Sequence, residues 1–176
     1  MSDKYKLTDE TMEASGIKLF RIQALRSFGD VKAGDLGGWV EGVKNLSQEG
    51  DAWVSRNAQV YGNAVVYGDS RVYGNAWVFG NAWVFGDARV SGNARVYGDA
   101  QVFGDAKVYG NARVSGDAKV YGNARVSGNA RVYGNAGVFC DARVFGDAQV
   151  YGNAWVSGDA RVSGDTPGTP MGPINI

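Results

Sequence analysis

The sequence predicts an all-β fold: a three-sided parallel solenoid of 18 residues per coil, standing on an N-terminal cap. Three observations predict it. From Asp51 to Gly164 the chain repeats one hexad, roughly Asn/Asp-Ala-x-Val-Tyr/Phe/Ser-Gly, 19 times without an insertion. Inside each hexad, apolar Ala and Val stand two residues apart, the spacing of a short strand with one buried side. The outward residues, read at steps of 18, sort by chemical type. A short fixed period marks stacked repeats, in which each unit buries its apolar side only against its neighbours.

Residues 1–50 are expected to form the cap. "KYKLTDE" and "GIKLFRIQ" alternate apolar and polar residues on either side of "TMEAS", which predicts a β-hairpin with "TMEAS" as its loop. From Phe28 to Gly50 the chain reads as a degenerate first coil. Leu36, Val40, Leu46 and Gly50 fall near the phase of the repeat, and Gln48 takes a valine position.

The repeat proper occupies residues 51–164. Val fills the fourth position in all 19 hexads and Ala the second in 18, with Ser70 the exception. Gly fills the sixth except at Arg56 and Cys140. Side chains alternate along a strand, so Ala and Val of each Ala-x-Val run point inward together. The aromatic-Gly-Asn/Asp stretch is the corner, where Gly and Asn tolerate the positive φ of a sharp bend. Frequent glycine and β-branched valine oppose a helix. A core of Ala and Val leaves no space for a buried cofactor, so no cofactor is expected, and any ligand binds outside, at an end or between chains. Residues 165–176, which hold the three prolines of the chain, read as a stop and a tail.

Three groups of outward residues stand out. The first is a charged ladder at the third position of one face, Arg71, Arg89, Lys107, Arg125, Arg143 and Arg161. Beside it runs a first-position row of Asp51, Asp69, Asp87, Asp105, Asn123, Asp141 and Asp159, which predicts a self-neutralising lattice. The second is a mildly basic run, Arg95, Arg113 and Arg131, the candidate site for an anion. The third is aromatic. Tyr67, Phe85, Phe103, Tyr121 and Phe139 follow one another on five coils, with Trp83 and Trp155 on the same side, and Trp77 accompanies a second row. An exposed aromatic stripe of that length marks an interface, so these residues are the candidate interface of a homo-oligomer, a dimer or trimer.

The hexad pattern over residues 51–164 resembles the hexapeptide-repeat, left-handed parallel β-helix family. The wording, including "GDLGGWVE" and "NLSQEGDAWV", is similar to bacterial and prophage β-helix proteins. The resemblance implies a left-handed coil. Many members are acyltransferases with a histidine general base and a loop pushed out of the coil, and related carbonic anhydrases hold zinc with histidines. This chain has no histidine and no interruption of its hexads, so no position inherits either role.

Other chemistry is equally hard to place. The serines of the repeat substitute for Tyr or Phe with no base to activate them. The Asp residues share a corner position with Asn. Cys140 replaces a corner glycine, and a lone cysteine fits a reducing compartment. With 18 basic and 18 acidic residues, the composition argues against nucleic acid and membrane as partners. The polar start and the lack of a long apolar run place the protein in the cytoplasm. The expected function is a non-enzymatic scaffold that binds protein, and the likeness to prophage proteins implies a phage-encoded factor directed at a host protein or defence complex. The alternative is a module that sequesters a nucleotide or sugar phosphate at a cleft between chains. A histidine-less acyltransferase comes last.

Overall fold

The computed structural model describes residues 3–164, so the expected tail lies outside the described residues. The chain opens with a hairpin of β1 (Tyr5–Ala14) and β2 (Ile17–Ala24). Its loop is shorter than expected. Thr11 to Ala14 pair with Phe20 to Ile17, and only Ser15 and Gly16, at φ of 53° and 77°, turn the chain. Two residues with positive φ reverse a hairpin with the twist its strands need.

Next comes β3 (Leu36–Val40), which joins the hairpin to the solenoid by pairing antiparallel with β2 and parallel with Gln59 and Val60. Each hexad then supplies one strand, beginning with its third and fourth residues. The strands form three parallel sheets, one per side of the prism, and equivalent residues 18 apart lie opposite each other, as Arg89 does with Arg71 and Lys107. We number the sides by the hexads at their N-terminal ends. Face 1 begins at Gln59, face 2 at Val65 and face 3 at Trp53. The described residues contain no α-helix, and Val43–Asn45 form a single 3-10 turn.

The repeat Ala and Val side chains fill the interior, nearly all of them buried. Ser70 takes an Ala position there, and its hydroxyl donates to the Tyr67 carbonyl at 2.8 Å, so the buried oxygen is satisfied. The corner glycines lie at positive φ, and the next coil crosses close above them. A Cβ on Gly110 would stand 3.0 Å from the Gly128 nitrogen. The corner Asn residues do not share that conformation. Among the described residues only Ser15, Arg56 and Cys140 are non-glycine with positive φ. Asn instead forms amide ladders between coils, Asn57 to Asn75 to Asn93 to Asn111 to Asn129, each Nδ2 donating to the next Oδ1 at 3.0–3.2 Å.

The first coil departs from the repeat by two residues. Val40 lies opposite Val60 and Leu46 opposite Val66, both 20 residues apart, whereas Gly50 returns to the 18-residue step by meeting Gly68. Leu46 therefore takes the valine place, and Gln48 falls in the two-residue excess. Its amide does a strand's work there. Oε1 accepts from the Lys4 and Tyr5 nitrogens, and Nε2 donates to the Tyr5 carbonyl.

A stack of coils leaves orphan carbonyls at its first edge, and buried ones need donors. Each face solves this differently. On face 1 the backbone of β3 and of the residue after it donates, from Trp39 N to Ala58 O and Glu41 N to Val60 O. On face 2 the Asn45 amide donates to Gly62 O and Ala64 O at 3.1 and 2.9 Å. On face 3 the donor is Lys4 Nζ, which reaches Gly50 O and Ala52 O at 3.2 and 3.0 Å, as well as Glu49 O.

Gly110→Ala forces a Cβ into the left-handed region against the next coil, and is expected to cost about 1–2 kcal/mol. Cys140→Gly removes the same strain and is expected to gain up to about 1 kcal/mol; urea unfolding midpoints check both. Burial, reinforced by the like charge of Arg26, lowers the Lys4 ammonium from 10.5 to about 8. The fold then favours the neutral amine, so stability rises as pH climbs from about 8 to 10.5, by at most about 1.4 kcal/mol per pH unit. Lys4→Met is expected to flatten that part of the curve, and an unchanged slope would assign it to another group.

Candidate functional site

Because the coil closes in 18 residues, every outward side chain meets its own kind, or a replacement, on the coil above and below. The aromatic row between faces 2 and 3 becomes a continuous column. Tyr67, Phe85, Phe103, Tyr121 and Phe139 stack with centroids 4.8–4.9 Å apart and planes within 6°. The rings cover one another and are half-buried, so the stripe is less exposed than its composition suggests. Burial also holds the Tyr67 phenol above its usual range.

The exposed part of this flank is a pair of indoles on face 2. Trp83 and Trp155 are 46% and 57% exposed. Each follows a small third-position residue one coil earlier, Val65 or Gly137. A Cβ on Gly137 would lie 3.6 Å from Trp155 Cδ1, so the indole leans across the glycine. That lean brings each indole edge-on to an end of the column, Trp83 to Tyr67 at 6.3 Å and Trp155 to Phe139 at 6.2 Å, both with planes 79° apart. Beside Trp155 lies a groove of about 370 Å³ lined by Lys119, Gly137, Phe139 and their neighbours. Four coils separate the two indoles, about 19 Å at strand spacing.

On face 3, Arg71, Arg89, Lys107, Arg125, Arg143 and Arg161 stand opposite one another in register. The neutralising lattice expected from the sequence does not form at contact distance. Among the described residues the ion pairs are Arg21 with Glu10 and Arg71 with Asp30. A groove of about 470 Å³ runs between the Asp and cation columns, lined by Asp87, Arg89, Asp105 and Lys107 and by the equivalent residues of the next two coils. The two signs are parallel rows, not pairs.

On face 1, Arg95, Arg113 and Arg131 are also in register and exposed, but Arg95 lies over the Trp77 indole, 4.6 Å from its centroid. Trp77 is therefore half-covered rather than a free contact. At the third corner, absent from the sequence candidates, Tyr73, Tyr109 and Phe145 alternate with serines. The same 18-residue step that sorted the other columns would have found it. Tyr109 and Phe145 are 40% and 39% exposed. Among the described residues no group of three or more His, Cys, Asp or Glu side chains gathers as a metal site, and Cys140 is an exposed free thiol.

These columns on a three-sided parallel stack define a repeat β-solenoid whose chemistry lies wholly on its outside. The family model described as YdcK Beta solenoid repeat matches residues 58–74, 88–104, 100–116, 106–122, 118–134, 124–139 and 148–164, and the chain belongs to the β-solenoid repeat proteins. No curated protein matches the sequence.

The column makes a prediction about stability. Phe103 is stacked on both sides, and Phe103→Ala is expected to cost about 2 kcal/mol or more. Phe145 has no stacked ring neighbour among the described residues, and Phe145→Ala is expected to cost under about 1 kcal/mol. Chemical unfolding of the two variants measures the contrast.

Proposed function

We propose that the chain is a non-enzymatic binding scaffold, and that copies associate side by side through the flank of face 2. The observation that carries this reading is the pair of exposed indoles, Trp83 and Trp155, braced against the two ends of the aromatic column. Tryptophan dominates interface energetics because it buries a large, stiff surface at little cost in side-chain entropy. Here the solenoid fixes the distance between two such anchors, so a partner pre-shaped to one meets the other without further ordering. The lack of histidine and the repetition of nearly every polar residue in a structural column support a surface built for contact rather than turnover. Among the described residues no helix is long and apolar enough to cross a membrane.

Light scattering during gel filtration, at two protein concentrations, tests the reading. The wild type is expected to run as a dimer or trimer, and the Trp83→Ser/Trp155→Ser variant as a monomer with nearly unchanged thermal unfolding. A monomeric wild type would assign the same two anchors to a foreign protein, such as the host factor suggested by the resemblance, and a pull-down comparing wild type with the double variant would then identify it.

A further inference from the structure

The corner between faces 3 and 1 is a column with gaps. At successive coils it carries Tyr73, Ser91, Tyr109, Ser127, Phe145 and Ser163. On the uninterrupted corner, rings on adjacent coils stack at 4.8–4.9 Å. Rings two coils apart are therefore spaced at about twice the strand separation, or about 9.6 Å. One further ring, at stacking distance from both, fills such a gap.

Ser127 marks the best-formed gap. Tyr109 stands on the coil before it and Phe145 on the coil after, both exposed, in a groove of about 270 Å³ completed by Arg125, Arg143 and Arg161. None of the three guanidiniums has an ion-pair partner among the described residues, and the Asp column lies on their far side, away from the rings. The gap is one ring thick and is flanked by cations.

We propose that the Ser127 gap binds a nucleoside phosphate, with the base between Tyr109 and Phe145 and the phosphate on Arg125, Arg143 and Arg161. Thickness selects a planar group, and the unpaired guanidiniums select an anion with the oxygens that Arg recognises. The volume lies at the lower limit of small-ligand pockets, about 300 Å³, which suits a mononucleotide better than a larger cofactor. A second copy of the chain is the geometric rival. Run antiparallel, the column is self-complementary, Tyr109 meeting Ser127, Phe145 meeting Ser91 and Tyr73 meeting Ser163. That arrangement, however, lays one cation column against the other, and opposed like charges destabilise. Charge favours the nucleotide. The site is independent of the face 2 anchors and lies on a different corner.

Calorimetric titration of AMP into the full-length protein at low salt tests the proposal, with adenosine and inorganic phosphate as comparisons. AMP is expected to bind at least about tenfold more tightly than either, more weakly as salt rises. Ser127→Tyr fills the gap with a ring, as on the uninterrupted corner, and is expected to keep the fold while weakening AMP at least about tenfold; Phe145→Ala and Arg143→Gln are expected to do the same. Trp83→Ser/Trp155→Ser is expected to leave AMP binding unchanged. Absence of AMP binding, or AMP binding undiminished in Ser127→Tyr, overturns the proposal. So does loss of an oligomer in Ser127→Tyr by light scattering, which gives the gap to a second copy.

Discussion

The structure depends on one constraint, the in-register stacking of Ala and Val on equivalent residues 18 positions away. Side chains alternate along each strand, so a one-residue slip of a coil against its neighbour would turn its inward Ala and Val outward. The same register dictates what outward residues can do, because a side chain must live beside copies of itself at strand spacing. Aromatic rings gain from this by stacking. Amides gain by donating in series, and the series ends at a carboxylate, which accepts but cannot donate: Asn129 closes on Asp147 and Asn81 on Asp99. Cations gain nothing from their own kind, and on face 3 they remain without intramolecular partners among the described residues, save Arg71 with Asp30.

Departures from the hexad then acquire meaning from the column they interrupt. Val65 and Gly137 are small where long side chains are usual, and in both places the indole one coil later leans into the space. Arg56 and Cys140 keep the left-handed corner conformation that glycine adopts elsewhere, so they alter the side chain without altering the turn. The first coil shows the opposite case. Its two-residue excess breaks the register, and the cap closes the edge with side-chain donors, Asn45 and Lys4, in place of backbone. Lys4 is the costlier device, since it removes an ammonium from water, and its lowered pKa records that cost.

Much of this was legible in the sequence because the period is strict. The 18-residue coil, the inward Ala and Val and the membership of each column follow from counting. What escaped was anything set by the third dimension of a corner. The row of rings reads as an exposed stripe until stacking shows that it covers itself. The Asp and Arg rows read as partners until the groove between them appears. Gln48 sits in valine phase by arithmetic, yet the valine place belongs to Leu46, because an irregular first coil is not bound by the later count. The hairpin loop departs from expectation for a related reason: a polar stretch such as "TMEAS" can continue an edge strand, and the turn itself needs only Ser15 and Gly16.

Two of the three aromatic corners, the uninterrupted one and the one at Ser127, differ along physical lines. In an uninterrupted column each inner ring has both faces covered, so the column offers a partner only ring edges and the indoles at its ends. Edges and indoles suit a broad protein surface. An interrupted column leaves ring faces uncovered at a spacing that admits one planar group, and stacking on a face is the strongest thing an aromatic ring can offer such a group. The interruption also falls beside the one face whose cations repeat on six successive coils. Those cations cannot be neutralised by stacking on one another, and the carboxylates of the same face lie across a groove from them. Counter-charge supplied from outside, on a planar carrier, satisfies both vacancies at once.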